Sequence, residues 1–171
     1  HVEEADSNFH ARFSAYERSY VYLIKVGEIR STFLRNYVYH VSKPIDIKRL
    51  SKELKGIIGT HDFSAFRSSQ CSAKDPVKTI SKASFEERDN LICIEFSANA
   101  FLHNMIRILI GTLVEISTNA DSEYTITDII SSKNRDLAGK TAPANGLYFL
   151  GAKYKDIQNT NIPFKKFFDS L

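Results

Sequence analysis

Arg107 lies inside the most apolar stretch of the sequence, residues 101–116. With about 3.6 residues per turn, the apolar side chains of this stretch would surround most of a helix, which is the pattern of a buried helix. The exceptions recur every fourth residue and share one narrow stripe, which consists of His103, Arg107, Gly111 and Glu115. Because a guanidinium keeps its charge, burying Arg107 requires a carboxylate, a phosphate or several carbonyl groups around it. The stripe is therefore either a solvated face or a site at which Arg107 holds an anion.

A second group of residues has the chemistry to hold RNA. Its members are Tyr20 and Tyr22 on one predicted strand, Phe66 and Arg67 in a short polar segment, and Leu147 and Tyr148 at the start of the last predicted strand. Aromatic and arginine side chains on a sheet hold single-stranded or looped RNA by stacking on bases and contacting phosphates. For each of these residues alone, packing in the core is the competing interpretation.

Other catalytic chemistries lack support in the sequence. Residues 139–141 (Gly-Lys-Thr) match the end of a Walker A motif, but Asn134 occupies the position of its first glycine. No Gly-x-Ser-x-Gly motif is present, the two cysteines form no Cys-x-x-Cys pair, and the histidines are too dispersed to predict a zinc site. Cys93 alternates with apolar strand residues, which predicts a small buried side chain.

The composition is that of one globular domain. The chain has 171 residues, of which 43% are hydrophobic and 25% are charged, and this length can bury a substantial core. The formal charge of +3 permits a nucleic-acid partner without requiring one. No apolar run approaches the roughly 20 residues that a membrane-spanning helix needs. Two unpaired thiols fit a reducing cytosol, so a cytoplasmic location is expected.

The pattern along the chain predicts an α+β fold. Predicted strands are residues 18–26, 36–41, 77–86, 91–97 and 147–154, and predicted helices begin near Pro44, within the Arg107 stretch and near Thr125. The polar residues 87–90 predict a hairpin turn, and Thr125 with Asp128 resembles a capping box. We therefore expect a mostly antiparallel sheet with helices packed on one face, which leaves the other face free for a ligand. The single domain would cover residues 1–171, with a core of about 9–154 and a tail of 155–171.

Two basic segments have no assigned partner at this stage. Lys48, Lys52 and Lys55 follow one face of the first predicted helix, opposite its apolar face. Such a row is usually a solvated face, and phosphate contact is the alternative. The tail carries an aromatic and basic cluster at residues 164–168.

Read in order, these pieces resemble the tRNA pseudouridine synthase A family. The matching stretches are residues 9–15 (FHARFSA), 18–22 (RSYVY), 61–67 (HDFSAFR), 98–111 (ANAFLHNMIRILIG) and 138–148 (AGKTAPANGLY). Separated motifs in the right order, spanning residues 9–154, make the resemblance specific. It implies a pseudouridine-synthase-like catalytic half-domain within the α+β class.

The resemblance also implies an activity and roles for individual residues. Members of the family isomerise uridine to pseudouridine in the anticodon stem-loop of tRNA (uridines 38–40), without a metal or organic cofactor and usually as homodimers. Tyr20 would stack on the target base and take part in removing its proton, Arg107 would hold the catalytic aspartate, and Leu147 would press on the base. The residues expected to contact RNA rather than perform chemistry are Arg12, Phe66, Arg67, His10 and His103.

The sequence departs from the family pattern in one respect. The family's nucleophilic aspartate lies in a Gly-Arg-Thr-Asp motif ahead of the Phe-His-Ala-Arg segment, and these 171 residues contain no such motif. The resemblance therefore implies the carboxyl-terminal half of the enzyme, inactive by itself. Arg107 is then expected to face an open cleft or a substitute anion, and a complete buried pair with Glu115 would argue against its catalytic role.

Two further hypotheses remain beside the incomplete enzyme. One is a non-catalytic RNA-binding module that never had the aspartate. The other is a dimerisation or scaffold domain, which predicts no affinity for tRNA. An in-frame Gly-Arg-Thr-Asp stretch encoded upstream of His1 would favour the incomplete enzyme over the RNA-binding module. A salt-dependent gel shift with tRNA tests the scaffold hypothesis.

Overall fold

The computed structural model of the protein describes residues 4–155 and 163–169. Its strands are β1 (Glu17–Val26), β2 (Tyr39–Val41), β3 (Gly59–Asp62), β4 (Val77–Arg88), β5 (Leu91–Ala98) and β6 (Leu147–Lys153). Its α-helices are α1 (Ile47–Ile57), α2 (Met105–Thr118), α3 (Ile126–Ser132) and α4 (Phe164–Asp169). The α+β class expected from the sequence is confirmed.

The strands form one mostly antiparallel sheet. Its order is β2-β1-β5-β4-β3, and β6 pairs with the same edge of β1 as β2 does. Only the short β1–β2 pairing is parallel within the described strands. The predicted β4–β5 hairpin is present. Its turn consists of the two residues Asp89 and Asn90, with left-handed φ angles of 51° and 61°, rather than the four residues 87–90 expected from the sequence. Two such residues make the hairpin turn that matches the twist of the strands.

Alternation along β1 separates two apolar layers. Tyr22 and Ile24 belong to the main core, which lies between the sheet and helices α1 to α3. Val21 and Leu23 point to the other side, where α4 packs on them through phenylalanines 164 and 168. Helices α1 to α3 therefore cover one face as predicted, whereas part of the face expected to be free is covered by α4. The tail cluster forms α4 because its two buried phenylalanines stand one helical turn apart.

Helix α2 begins later than its apolar pattern predicts. Residues 101–104 form a loop, and Asn104 precedes the helix in a left-handed conformation with φ 62° and ψ 6°. Leu102 is buried although it lies outside the helix. Since the helical pattern only records which side chains are buried, it cannot distinguish a buried loop from a first helical turn. His103 is consequently not on the helical stripe, and Arg107 lies in the first turn of α2.

The caps of α1 and α3 show how side chains join the helices. Helix α1 starts after Asp46, which accepts a hydrogen bond from the backbone N–H of Arg49 at 3.0 Å, so Pro44 lies before the cap. The predicted capping box at the start of α3 is confirmed. No helix in residues 4–155 and 163–169 is long and apolar enough to cross a bilayer.

Glu53 connects α1 to α3, and its loss should destabilise the fold. Its side chain is buried, and its carboxylate accepts a 2.7 Å hydrogen bond from the backbone N–H of Ile126. Glu53→Ala leaves that buried N–H without an acceptor, so we expect the free energy of unfolding to fall by about 1–3 kcal/mol. Urea denaturation measures the loss. Glu53→Gln keeps an acceptor and should lose less, and equal losses in the two variants would contradict this role.

Candidate active site

Five of the eight predicted site residues meet at one cleft. The cleft has a volume of about 610 Å³ and lies beside the first turn of α2. The predicted residues that line it are Arg12, Tyr20, His103, Arg107 and Leu147. The loop formed by residues 70–73 and the segment 101–106 complete its walls. These residues come from distant parts of the sequence, so the fold brings them together.

Arg107 is held in a fixed orientation by two neighbours. Its Nε donates a 2.8 Å hydrogen bond to the carbonyl oxygen of Ala142, and its Nη1 donates one of 3.0 Å to Oδ1 of Asn104. The carbonyl of Arg107 in turn accepts the backbone N–H of Ala142 at 3.0 Å. A guanidinium has five N–H groups, and two of them are used here, which leaves three without a partner in the described part of the chain. Arg107 can therefore still donate a two-point hydrogen bond to an anion in the cleft.

No carboxylate within residues 4–155 and 163–169 pairs with Arg107. Glu115, two turns further along α2, is exposed and makes no ion pair with it. The buried Arg107–Glu115 pair that would have argued against a catalytic role is thus not formed. Arg107 is half-buried at the cleft wall, so neither of the simple alternatives, a fully solvated face or a closed ion pair, describes it.

The loop of residues 138–142 packs on α2 by way of two glycines. A Cβ atom at Gly111 would overlap the carbonyl oxygen of Lys140 and lie 2.9 Å from its carbon. The backbone N–H of Gly139 donates a 2.9 Å hydrogen bond to Oγ1 of Thr112, and a Cβ there would lie 2.9 Å from the Thr112 Cα. Glycine is needed at position 111 because the loop backbone occupies the space that a side chain would fill. This close approach of the loop to α2 brings the Ala142 carbonyl to Arg107.

Tyr20 and Leu147 give the cleft an apolar and aromatic wall. The Tyr20 ring contacts Phe101 and Phe149 edge-on, with centroids 5.5 Å and 5.2 Å apart. Burial raises the pKa of the Tyr20 hydroxyl above its usual value, and the hydroxyl has no hydrogen-bond partner in the described residues. It therefore stays protonated near neutral pH and is available to a ligand. Tyr22, by contrast, is fully buried and donates a 2.6 Å hydrogen bond to the Pro143 carbonyl, so core packing explains it.

The expected RNA contact of Phe66 is corrected by the structure. Its side chain is 0% exposed and packs in the core against Phe63, with ring centroids 6.2 Å apart. Arg67 lies outside the cleft, and its Nη2 donates hydrogen bonds of 2.8 Å and 2.7 Å to the carbonyls of Cys71 and Ala73. The 61–67 motif therefore anchors the loop that forms one cleft wall. Polar and aromatic residues in a short segment carry no sequence signal that separates this anchoring role from ligand contact.

The histidines lie at the edge of the site. His103 lines the cleft and is exposed. His10 is exposed and does not line the cleft. Its ring contacts that of Phe13 in a tilted arrangement, with centroids 4.4 Å apart, and its Nδ1 accepts the backbone N–H of Arg12 at 3.1 Å. His10 thus holds the short segment that carries Arg12 to the cleft. Within the described ranges, no three His, Cys, Asp or Glu side chains converge in a way that could hold a metal.

Asn104 and Cys71 belong to the cleft but were not predicted from the sequence. Asn104 takes a left-handed conformation that non-glycine residues rarely adopt, and Asn tolerates it best. The Cys71 sulfur accepts the backbone N–H of His103 at 3.4 Å. Burial raises the pKa of this thiol, but N–H groups of His103 and Ala73 and the charge of Arg67 outweigh burial and lower it below its ordinary value. Asn104 and Cys71 shape the cleft through backbone conformation and a hydrogen bond to the backbone. Neither feature produces a pattern of residue types that could be detected in the sequence.

Fold and cleft together define a class of protein. The mostly antiparallel sheet with helices on one face is consistent with a pseudouridine-synthase-like α+β fold, and its cleft combines an oriented guanidinium with a tyrosine and a leucine. The family model described as tRNA pseudouridine synthase matches residues 54–155, which is more than half of the chain. The chain belongs to the tRNA pseudouridine synthase family.

Curated relatives agree with this assignment. The chain is 42% identical over 153 residues to the tRNA pseudouridine synthase A of Geobacillus sp. (strain WCH70), covering 90% of this chain and 62% of the relative. It is 43% identical over 152 residues to the protein of that name from Acetivibrio thermocellus, covering 89% and 62%. The Ehrlichia canis protein of the same name is 44% identical over 154 residues, covering 90% and 62%. The chain thus spans somewhat less than two thirds of the length of these relatives.

Proposed function

We propose that this chain is part of a tRNA pseudouridine synthase and supplies Arg107, Tyr20 and Leu147 to its active site. The reaction would isomerise uridine to pseudouridine in the anticodon stem-loop of tRNA. The observation that carries the proposal is the Arg107 guanidinium, which is oriented by Ala142 and Asn104 and keeps three N–H groups available at the cleft. In this proposal the aspartate nucleophile comes from outside these 171 residues, since they contain no Gly-Arg-Thr-Asp motif.

The geometry supports a specific role for Arg107. A carboxylate placed against the available N–H groups would receive two parallel hydrogen bonds from a planar fork, which sets its orientation. The adjacent positive charge would also lower the pKa of that carboxylate and keep it ionised as a nucleophile. Because the guanidinium is anchored before the carboxylate arrives, little reorganisation is needed when the pair forms.

Tyr20 and Leu147 would handle the base. The uracil detaches from the ribose, turns and rejoins through carbon, so it must be held between surfaces while it carries no bond to the sugar. The Tyr20 ring offers a stacking surface and the Leu147 side chain an apolar one on the same cleft. Once C5 of the uracil is bonded to the ribose, C5 still carries a hydrogen. The Tyr20 hydroxyl can take part in removing it by accepting the proton from C5 while it passes its own proton to solvent.

The residues at the edge would contact the surrounding RNA. Arg12 and His103 line the cleft with polar side chains, and His10 lies beside Arg12. Exposed arginine and histidine side chains can contact phosphates and stack on unpaired bases. The homodimer and the cytoplasmic location expected from the sequence stay predictions.

A tritium-release assay on unmodified tRNA labelled at uridine C5 tests the proposed function. We expect no release by the 171-residue chain alone, because Arg107 has no carboxylate partner, and release by the protein encoded by the intact gene. Turnover by the chain alone would contradict the missing nucleophile. An intact protein that binds tRNA without turnover would favour the non-catalytic RNA-binding module. Absence of both turnover and salt-dependent binding would favour the scaffold hypothesis.

A further inference from the structure

A second groove lies next to the candidate active site. It has a volume of about 510 Å³, and its polar lining consists of Arg67, Ser68, Ser69, Arg135, Lys140 and Thr141, together with Asp136. The loop of residues 67–73 borders both depressions, because residues 67–69 line the groove and residues 70–73 line the cleft. Helix α2 likewise contributes Arg107 to the cleft and Ile108 to the groove. The cleft and the groove are therefore formed by the same loop and the same turn of α2.

The charge of the groove is positive. Three basic side chains line it against the single carboxylate of Asp136, within the residues that the structure describes. Two of the basic groups are already partly used by the backbone. Arg67 donates to the carbonyls of Cys71 and Ala73, and Nη1 of Arg135 donates to the carbonyls of Ala138 and Gly139 at 3.0 Å and 3.1 Å. These bonds fix the two guanidinium groups, which still contribute their charge to the groove.

Lys140 differs from the two arginines. It is exposed, and its ammonium group has no hydrogen-bond or ion-pair partner in the described ranges. The side-chain hydroxyls of Ser68, Ser69 and Thr141 likewise make no hydrogen bond there. The backbone of Lys140 is held firmly, because its carbonyl packs on Gly111 and the neighbouring Gly139 is bonded to Thr112. A free cation beside several free hydroxyls, on a rigid loop, is a donor set for a phosphate.

The groove fits the backbone of RNA rather than its bases. Among the described residues no aromatic side chain lines the groove, so they offer no surface there for base stacking, whereas the cleft has Tyr20 and Phe101. We propose that this groove binds a backbone phosphate of the tRNA strand that places its target uridine in the cleft, with Lys140 as the main contact. This inference rests on the proposed function, since it assumes an RNA substrate.

The salt dependence of RNA binding tests the groove. The probe is an unmodified anticodon stem-loop RNA, titrated with the 171-residue chain between 0.1 M and 1 M salt. Loss of one phosphate contact makes the slope of log K against log salt less steep by about 0.7 to 0.9. Lys140→Gln should show this change, and a slope difference of about 0.7 over one decade of salt corresponds to roughly fivefold weaker binding at 0.1 M. Lys140→Glu should weaken binding further, since it adds repulsion.

Two matched variants control for charge and for folding. Lys140→Arg keeps the charge and should retain the steep slope. Lys43→Gln removes another exposed lysine that has no partner in the described residues. Lys43 lies near the start of α1, which is hydrogen-bonded through Asp46 to Ser117 at the end of α2 remote from the groove. RNA binding by this variant should therefore not change. A wild-type slope and affinity in Lys140→Gln, with RNA binding otherwise intact, would overturn the groove alone. Failure of the wild-type chain to bind the RNA would overturn the groove together with the proposed substrate.

Discussion

Replacing Arg107 by lysine should lower kcat of the intact synthase by about 10²–10³-fold, the range found when one preorganised electrostatic donor is removed from an active site. Lysine keeps the charge but has a single ammonium group. It cannot donate to the Ala142 carbonyl, to Asn104 and, through two further N–H groups, to a carboxylate at the same time. The nucleophile would then be ionised less completely and oriented poorly. Tritium release under saturating tRNA measures the effect on kcat.

The matched variant for this prediction is Asn104→Gly. Glycine keeps the left-handed backbone that starts α2, and it removes the side chain whose Oδ1 accepts from Arg107. One of the two anchors of the guanidinium is lost, so we expect a smaller decrease in kcat, about tenfold, without a change in tRNA affinity. Unfolding in urea should show that both variants are folded. Wild-type kcat in Arg107→Lys would mean that this guanidinium does not hold the nucleophile.

Gly111→Ala should lower the free energy of unfolding by about 3 kcal/mol. The new Cβ would overlap the carbonyl oxygen of Lys140. The loop cannot simply move away, because Gly139 is bonded to Thr112 on one side and Ala142 is bonded twice to Arg107 on the other. The gain from replacing a helical glycine by alanine is only about 1 kcal/mol and does not offset this clash.

Gly56→Ala is the control for a helical glycine. At Gly56 in α1 the added Cβ would lie 2.8 Å from a methyl group of the exposed Thr127 and 3.2 Å from a methyl group of the buried Ile126, both of them side-chain rather than backbone atoms. We therefore expect a smaller loss in the free energy of unfolding for Gly56→Ala than for Gly111→Ala. Urea denaturation of both variants gives the comparison. If Gly111→Ala were as stable as the wild type, the loop of residues 138–142 would be far less constrained than its contacts indicate.

If the loop shifts instead, Gly111→Ala should still impair catalysis. Displacement of residues 138–142 would break the hydrogen bonds between Ala142 and Arg107, and with them the orientation of the guanidinium. A variant of Gly111 that stays folded should thus lose activity in the way that Asn104→Gly does. Stability and activity together separate a clash that unfolds the chain from one that moves the loop.

Local patterns in the sequence were sufficient for most of the fold. Alternating apolar residues predicted β1, β4, β5 and β6, and the capping box of Thr125 and Asp128 predicted the start of α3. These signals are reliable because strand alternation and helix capping depend on residues within a few positions of each other. The loop at residues 101–104 and the helix α4 were not predicted. Contacts with distant elements decide whether such apolar residues lie in a loop or in a helix, and local patterns do not report these contacts.

The sequence by itself determined that Arg107 was anomalous, that an α+β domain surrounds it, and that ordered motifs match one family. Only the tertiary structure decided what surrounds each side chain. It assigns Phe66 to the core, brings Tyr20 and Leu147 to the cleft, and bonds Arg107 to the carbonyl of Ala142, which lies 35 residues away. The physical reason is that residue type and spacing report the local preference of the chain, whereas the partners of a charged group depend on which distant backbone atoms the packed loops deliver to it.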